Sequence, residues 1–144
     1  PFGTVTVGVR GGAVTHVALG EEALPGTRRP TPLSNRCANE LLEYFAGRRA
    51  AFSVPTAPEG TAFQREVWRA VAHVPYGQTR TNADIARAIG RPESFRVVGA
   101  AVRKNPVAVI IPAHRNVGAN GHPTGAGKGA RLRAAFLELE RRNS

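Results

Sequence analysis

Ile110-Ile111-Pro112-Ala113-His114-Arg115-Asn116, followed shortly by Gly125-Ala126-Gly127-Lys128-Gly129, is the stretch whose reading decides the fold. An apolar strand runs into a sharp turn, and the turn presents a small side chain, a histidine and an arginine. The glycines at 125, 127 and 129 lack the preceding strand and the following Lys-Ser/Thr of a phosphate loop, so they read as a flexible loop. Working outward from the turn, Pro106 blocks any helix after Asn105, and Val107 to Ile111 reads as a buried strand leading into it. Beyond the loop a final helix runs from about Gly129 to Arg141, with Leu132, Ala135, Phe136 and Leu139 facing inward.

Upstream lies a run of helices. Thr61 and Gln64 form a capping box, S/T-x-x-E/Q, ahead of Phe63, Val67, Val71 and Val74 on one face, with Trp68 beside it. Pro75-Tyr76-Gly77 is a turn. Thr81 with Asp84 opens a short helix that buries Ile85, Ala86 and Ile89 and stops at Gly90. After Gly90-Arg91-Pro92 another helix runs from about Glu93 to Lys104. Two short helices joined by a glycine-containing turn are the pattern of a helix-turn-helix.

The first third reads differently. Val5, Val7 and Val9 alternate with Thr4 and Thr6, and Arg10-Gly11-Gly12 turns the chain into a second strand, Ala13 to Leu19. His16 sits in that strand as a structural histidine. Residues 20–33 form a loop. Ser34 is placed to cap a helix running to about Ala46, with Gly47 as its C′ residue. Cys37 falls on the apolar stripe of that helix with Leu41 and Phe45, which makes it a buried, inert thiol. Ala51 to Val54 is a short apolar stretch with strand character. The prolines and glycine of residues 55–60 mark a linker, so the chain divides as 1–54, 55–60 and 61–144.

Composition bounds the rest. With 144 residues and 42% hydrophobic content, the chain can bury a core. Its single cysteine excludes an intrachain disulfide and a Cys-rich zinc site, and no metal cluster or cofactor motif is present. No run reaches the roughly 18 apolar residues of a membrane span and no signal-peptide pattern opens the chain, so a cytoplasmic protein is expected. The net charge is +10, and nine of those charges fall in residues 61–144. An excess confined to one half suggests a polyanion-binding module, against the bland alternative of an arginine-rich solvated surface.

The second half resembles the O6-alkylguanine-DNA alkyltransferase family, whose active-site turn is Pro-Cys-His-Arg after an apolar strand. The resemblance is carried in order by Thr61 to Trp68, Val74 to Thr79, Ile85-Ala86, Gly90-Arg91-Pro92, Arg96 to Ala101, Asn105-Pro106, Pro112 to Arg115 and Leu137 to Glu140. It implies an α+β protein: a small N-terminal α/β domain of RNase H-like type, and a C-terminal helical domain of winged-helix, helix-turn-helix type. It implies minor-groove DNA binding, with Arg96 filling the space left by a nucleotide rotated out of the duplex. Ser94, Phe95, Gly99, Thr81, Asn82 and Lys128 complete the implied DNA-contacting set. The residues agree with this in part. Arg96 lies near a helix N-terminus, where the dipole favours phosphate. Gly99-Ala100-Ala101 would let backbone approach DNA, and Phe95 is either an apolar wedge or a core residue.

The resemblance also implies a pocket. In active members the cysteine is deprotonated through water by the adjacent histidine, with a glutamate behind; His114 and Glu140 match those two positions. Asn105 matches an asparagine that holds the turn, and Arg115 a structural arginine. Val102, Pro112, Ala113 and the loop Pro123, Thr124, Gly125, Ala126 and Gly127 would wall the lesion pocket. Four positions depart from the pattern. Ala113 replaces the acceptor cysteine, Asn82 a tyrosine that crowds the phosphate, Ala126 a pocket tyrosine, and Lys128 a small residue. A methyl side chain has no lone pair, so alkyl transfer to position 113 as written is chemically excluded.

Four functions are weighed on that basis. The leading expectation is a monomeric, non-catalytic, alkyltransferase-like protein that binds O6-alkylguanine in double-stranded DNA and marks it for nucleotide excision repair. The second is a Cys-to-Ala variant of a methylated-DNA–protein-cysteine S-methyltransferase. The third is an enzyme that uses His114 as general base and Glu140 as its orienter on a small molecule. The last is a plain DNA-binding module.

Overall fold

The computed structural model describes residues 5–19, 30–118 and 127–143. It shows an α+β fold in which the chain divides into two units, Pro1–Glu59 with Pro106–Ile110, and Gly60–Asn105 with Ile111–Ser144.

In the first unit, β1 (Val5–Arg10) and β2 (Ala13–Leu19) form an antiparallel hairpin with a register irregularity at Gly8/Val9. Its turn uses Gly11 and Gly12, both at positive φ, which a side chain would strain. Helix α1 (Pro32–Phe45) buries Cys37, Leu41 and Tyr44. Its N-cap is Thr31 rather than Ser34, which serves instead as the third residue of the capping box. Pro32 explains the earlier start, because its fixed φ suits the first turn and its missing N–H is not needed there. The same helix buries the Glu40 carboxylate, which accepts from the Ser53 backbone N–H at 2.9 Å and lies 3.7 Å from Arg36 and 3.8 Å from Arg49.

Ala51 to Val54 forms no strand. The hydrogen bonds come one step later, where Val14 N–H donates to Pro55 O and Ala57 N–H to Val14 O, each at 2.9 Å. The expected strand over Val107 to Ile111 is also absent. One bridge, Val17 to Val107, remains, with Val17 N–H donating to Pro106 O at 2.9 Å. Val109 breaks the extended run: its φ is 70°, the left-handed region that β-branched residues avoid. The segment is a series of turns whose apolar side chains are still buried at Val107 and Val109.

The second unit is mainly helical. Helix α2 (Ala62–Ala72) begins at the Thr61–Gln64 capping box and buries Val67, Trp68 and Val71. Strand β3 (Arg80–Thr81) leads directly into α3 (Asn82–Ala88), capped by Thr81 and Asp84. Pro92–Ser94 makes a 3-10 turn, and α4 (Phe95–Arg103) follows, two residues shorter at its start than the spacing predicts. Helices α3 and α4 are two short helices joined through Gly90 and this 3-10 turn. Trp68 Nε1 donates to Ala101 O at 2.8 Å, tying α2 to α4. After a 3-10 turn at Ala113–Arg115, β4 (Asn116–Val117) pairs in parallel with β3. Helix α5 (Gly127–Asn143) buries Phe136, Leu139 and Glu140, whereas Ala135, expected inward, is exposed.

Candidate active site and DNA interface

The turn Ala113–Arg115 is held from three directions. Asn105 Nδ2 donates to Ile111 O at 2.9 Å, fixing the chain on its way in. Arg115 N–H donates to Pro112 O at 2.9 Å, and Asn116 N–H to Ala113 O, closing the turn itself. Ala113 is half-buried, Pro112 and Val102 are buried, and His114 is 2% exposed.

Glu140 of α5 organises the chemistry. Its carboxylate is wholly buried and sits 2.5 Å from His114 Nε2. It also accepts from Arg115 Nε at 2.9 Å, from Arg115 Nη2 at 3.0 Å and from the Gly77 backbone N–H at 3.0 Å. Arg115 Nη1 donates to Val74 O at 2.7 Å, and the guanidinium lies 5.5 Å from the Tyr76 ring centre. Phe136 meets the His114 ring edge-on at 5.5 Å.

The charge state follows. Arg115 already balances the Glu140 carboxylate, so a second cation on His114 would be buried without compensation. Burial pushes the His114 pKa below its ordinary value of 6.5, opposed by the Glu140 hydrogen bond and charge and aided by the Arg115 charge. The imidazole is therefore neutral at pH 7. Facing a carboxylate, Nε2 carries the proton, and Nδ1 is the nitrogen with basic character. Next to position 113 the chain therefore holds a neutral imidazole oriented by a buried carboxylate, a pair that can act as a base and its orienter. Cys37, the one thiol in the chain, is no substitute. Burial first, then the Glu40 charge, pushes its pKa up to about 11, so it stays protonated.

Of the expected DNA contacts, Phe95 is 44% exposed, so it is not a core residue, and Arg96 beside it is exposed. The Arg96 guanidinium lies 5.9 Å from the Phe95 ring centre, and Val97, 56% exposed, continues the patch. Ser94 is the half-buried N-cap of α4 but makes no side-chain cap bond. Gly99 and Ala101 are buried within the unit, so of the three small residues Ala100 has the most open side. Gly99 instead makes room for Asn82: a Cβ there would stand 2.7 Å from Asn82 Nδ2. Thr81 spends its hydroxyl on the α3 cap. Gly127 and Lys128 fall in the first turn of α5. Pro123, Thr124, Gly125 and Ala126, expected to wall the pocket, lie outside the described residues. A separate cleft of about 510 Å³, lined by Ala70, His73, Val74, Thr79, Arg80, Asp84, Ile85 and Ala88, contains none of the expected pocket residues.

Two participants escaped the sequence reading. Gly77 contributes a backbone N–H, which no side-chain pattern can announce. Asn116 is buried and donates to Asn82 Oδ1; an asparagine directly after the motif was the available signal.

Two short helices, an exposed Phe95-Arg96 start to the second of them and a buried His114–Glu140–Arg115 group behind position 113 characterise the second unit. The family model described as "6-O-methylguanine DNA methyltransferase, DNA binding domain" matches residues 62–142. A methylated-DNA–protein-cysteine methyltransferase of Methanosarcina barkeri is 45% identical over 74% of this chain and 67% of its own length. The Mycobacterium tuberculosis protein of the same name is 39% identical over 98% of this chain and 88% of its own. The crystal structure of Mycobacterium tuberculosis O6-methylguanine methyltransferase superposes with a TM-score of 0.89, at 38% identity, covering all of this chain and 90% of that one. A structure of the mycobacterial protein in complex with DNA gives 0.87, at 38% identity over 97% of this chain and 88% of that one. The chain belongs to the 6-O-methylguanine DNA methyltransferase family.

This corrects the leading expectation. The likeness to proteins named as methyltransferases runs through essentially the whole chain. The S. pombe ATL structure in complex with DNA matches 57% of this chain and 78% of its own, with a TM-score of 0.51 and 30% identity. The non-catalytic, repair-marking reading is overturned; it had rested on Ala113 together with the departures at Asn82, Ala126 and Lys128.

Proposed function

We propose that this chain is a Cys-to-Ala form of a methylated-DNA–protein-cysteine S-methyltransferase, with position 113 as its acceptor position. The observation that supports it most is the His114–Glu140–Arg115 group. The group lies directly after position 113 in the chain, with the His114 imidazole held by the Glu140 carboxylate. With a thiol at 113, His114 accepts its proton through water. The thiolate attacks the methyl carbon of O6-methylguanine, the bond between that methyl and O6 breaks with its electron pair leaving on O6, and the base takes up a proton at N1 to restore guanine while His114 returns the proton it took to solvent. The acceptor keeps the methyl group, so the protein acts once and needs no cofactor.

The partner is double-stranded DNA carrying the alkylated guanine, met by a monomer in the cytoplasm. The exposed Phe95, Arg96 and Val97 at the start of α4 are the DNA-facing group, with Arg96 entering the stack as the damaged nucleotide leaves it. The test is Ala113→Cys incubated with DNA carrying a labelled O6-methyl group. Label fixed covalently on the variant, and none on the unaltered chain, is expected. Failure of the variant to take up label overturns the reading.

A further inference from the structure

Helix α4 is tied to the acceptor turn at both ends. On the way in, Asn105, two residues past the end of α4, donates from Nδ2 to Ile111 O at 2.9 Å. On the way out the tie runs through two side chains. The Asn116 backbone N–H closes the turn on the Ala113 carbonyl, and its Nδ2 donates to Asn82 Oδ1. Asn82, the first residue of α3, lies against Gly99 in the middle of α4, where a Cβ would stand 2.7 Å from the Asn82 Nδ2. Arg96, in the exposed start of α4, is three residues before Gly99. A short path of contacts thus joins the exposed end of α4 to the carbonyl of position 113.

Stability alone does not account for the Asn82–Asn116 bond. Asn116 is 2% exposed, and among the described residues no donor reaches its Oδ1. A buried carboxamide left half satisfied costs more than an apolar side chain of similar size. What a directed bond adds over apolar packing is one fixed geometry. The backbone does not supply it here, because β3 and β4 pair only at Arg80–Asn116 and Thr81–Val117. Asn82, grouped by resemblance with the DNA contacts, instead has its Oδ1 on Asn116 and its Nδ2 against Gly99. We propose that Asn82 is a positioning residue that passes the seating of α4 on duplex DNA to the acceptor turn through Asn116. As α4 seats, Gly99 bears on the Asn82 carboxamide, and the bond to Asn116 holds Ala113–Arg115 in one setting. This rests on the reading above that the start of α4 meets DNA; it needs no chemistry at position 113.

The test is amide hydrogen exchange at Arg115 and Asn116, whose N–H groups close the turn, followed residue by residue with and without a saturating duplex that carries no lesion. Such a duplex offers no alkylated base to cover the turn directly. Three proteins are compared: the unaltered chain, Asn82→Ala, and Asn116→Val, which cuts the same bond from the other side and keeps the backbone N–H. In the unaltered chain, DNA is expected to slow exchange at both amides by roughly 10-fold, as local opening of the turn becomes rarer. In both variants fluorescence anisotropy should show the duplex still bound, while exchange at the turn no longer responds to it. DNA-induced slowing that survives in the variants overturns the proposal, and so does its absence from the unaltered chain. Turn amides that already exchange freely in the variants without DNA, or variants that do not fold, would make the pair a structural brace and overturn it equally. The Ala113→Cys transfer assay separates the two claims. Transfer with a turn indifferent to Asn82 sinks the coupling alone. No transfer with an Asn82-dependent response sinks the transferase reading and keeps the coupling, and a duplex that does not bind at all sinks both.

Discussion

At the scale of single residues, Glu140 carries the most weight. It is buried, it neutralises Arg115, and it fixes the tautomer of His114. Glu140→Gln leaves the Arg115 guanidinium buried with no counter-charge. The expected loss is about 3–5 kcal/mol of stability, read by urea denaturation; a loss under 1 kcal/mol would show the trio to be incidental. In the Ala113→Cys background the same change should slow methyl transfer by roughly 100-fold, because the base loses its orienting carboxylate. His114 also sets a pH dependence. Its folded pKa is depressed, so the unfolded chain takes up a proton first as pH falls. Stability contributed by the neutral ring is complete above its ordinary value of 6.5 and declines below it, down to the folded pKa. Thermal unfolding followed from pH 8 to 5 should show the melting temperature dropping in that window, and His114→Gln should flatten that part of the curve.

At the scale of elements, the helices were legible and the strands near the site were not. The Thr61–Gln64 and Thr81–Asp84 boxes announce α2 and α3, because a cap is a local event written in four consecutive residues. Each cap is worth about 1 kcal/mol, so Thr81→Ala should lower stability by that much in a denaturant titration. The stretch from Val107 to Ile111 reads as a strand on hydrophobicity alone. What decides its shape is the positive φ of Val109 and the bridge to Val17, a contact ninety positions away in sequence that no window captures. Gly99 makes the same point. Its smallness suggested an approach to DNA, and its actual neighbour is Asn82 from another helix. Gly99→Ala would force a Cβ against that amide, and a loss of roughly 1–3 kcal/mol is expected by calorimetry. The His114–Glu140 pairing was reached through family resemblance; spacing alone, 26 residues apart, carries no sign of it.

At the scale of the whole molecule, charge and family membership point the same way. Nine of ten net positive charges lie in residues 61–144, the part matched by the DNA-binding family model. Duplex binding should therefore weaken steeply with salt, with a linear fall of log affinity against log salt. Arg96→Ala should weaken binding most for duplexes whose damaged nucleotide must be extruded, measured by fluorescence anisotropy. Equal weakening on every duplex would reduce Arg96 to a phosphate contact. The family assignment also shows how a few substitutions mislead. Ala113, Asn82, Ala126 and Lys128 together suggested a non-catalytic relative, whereas the likeness to proteins named as methyltransferases runs through essentially the whole chain.

The most direct test is the intact mass of Ala113→Cys after mixing with one equivalent of O6-methylguanine duplex. The account predicts a gain of one methyl group, mapping to the peptide that contains position 113, with the unaltered chain unchanged. A variant that folds, binds the duplex and gains no mass would contradict it.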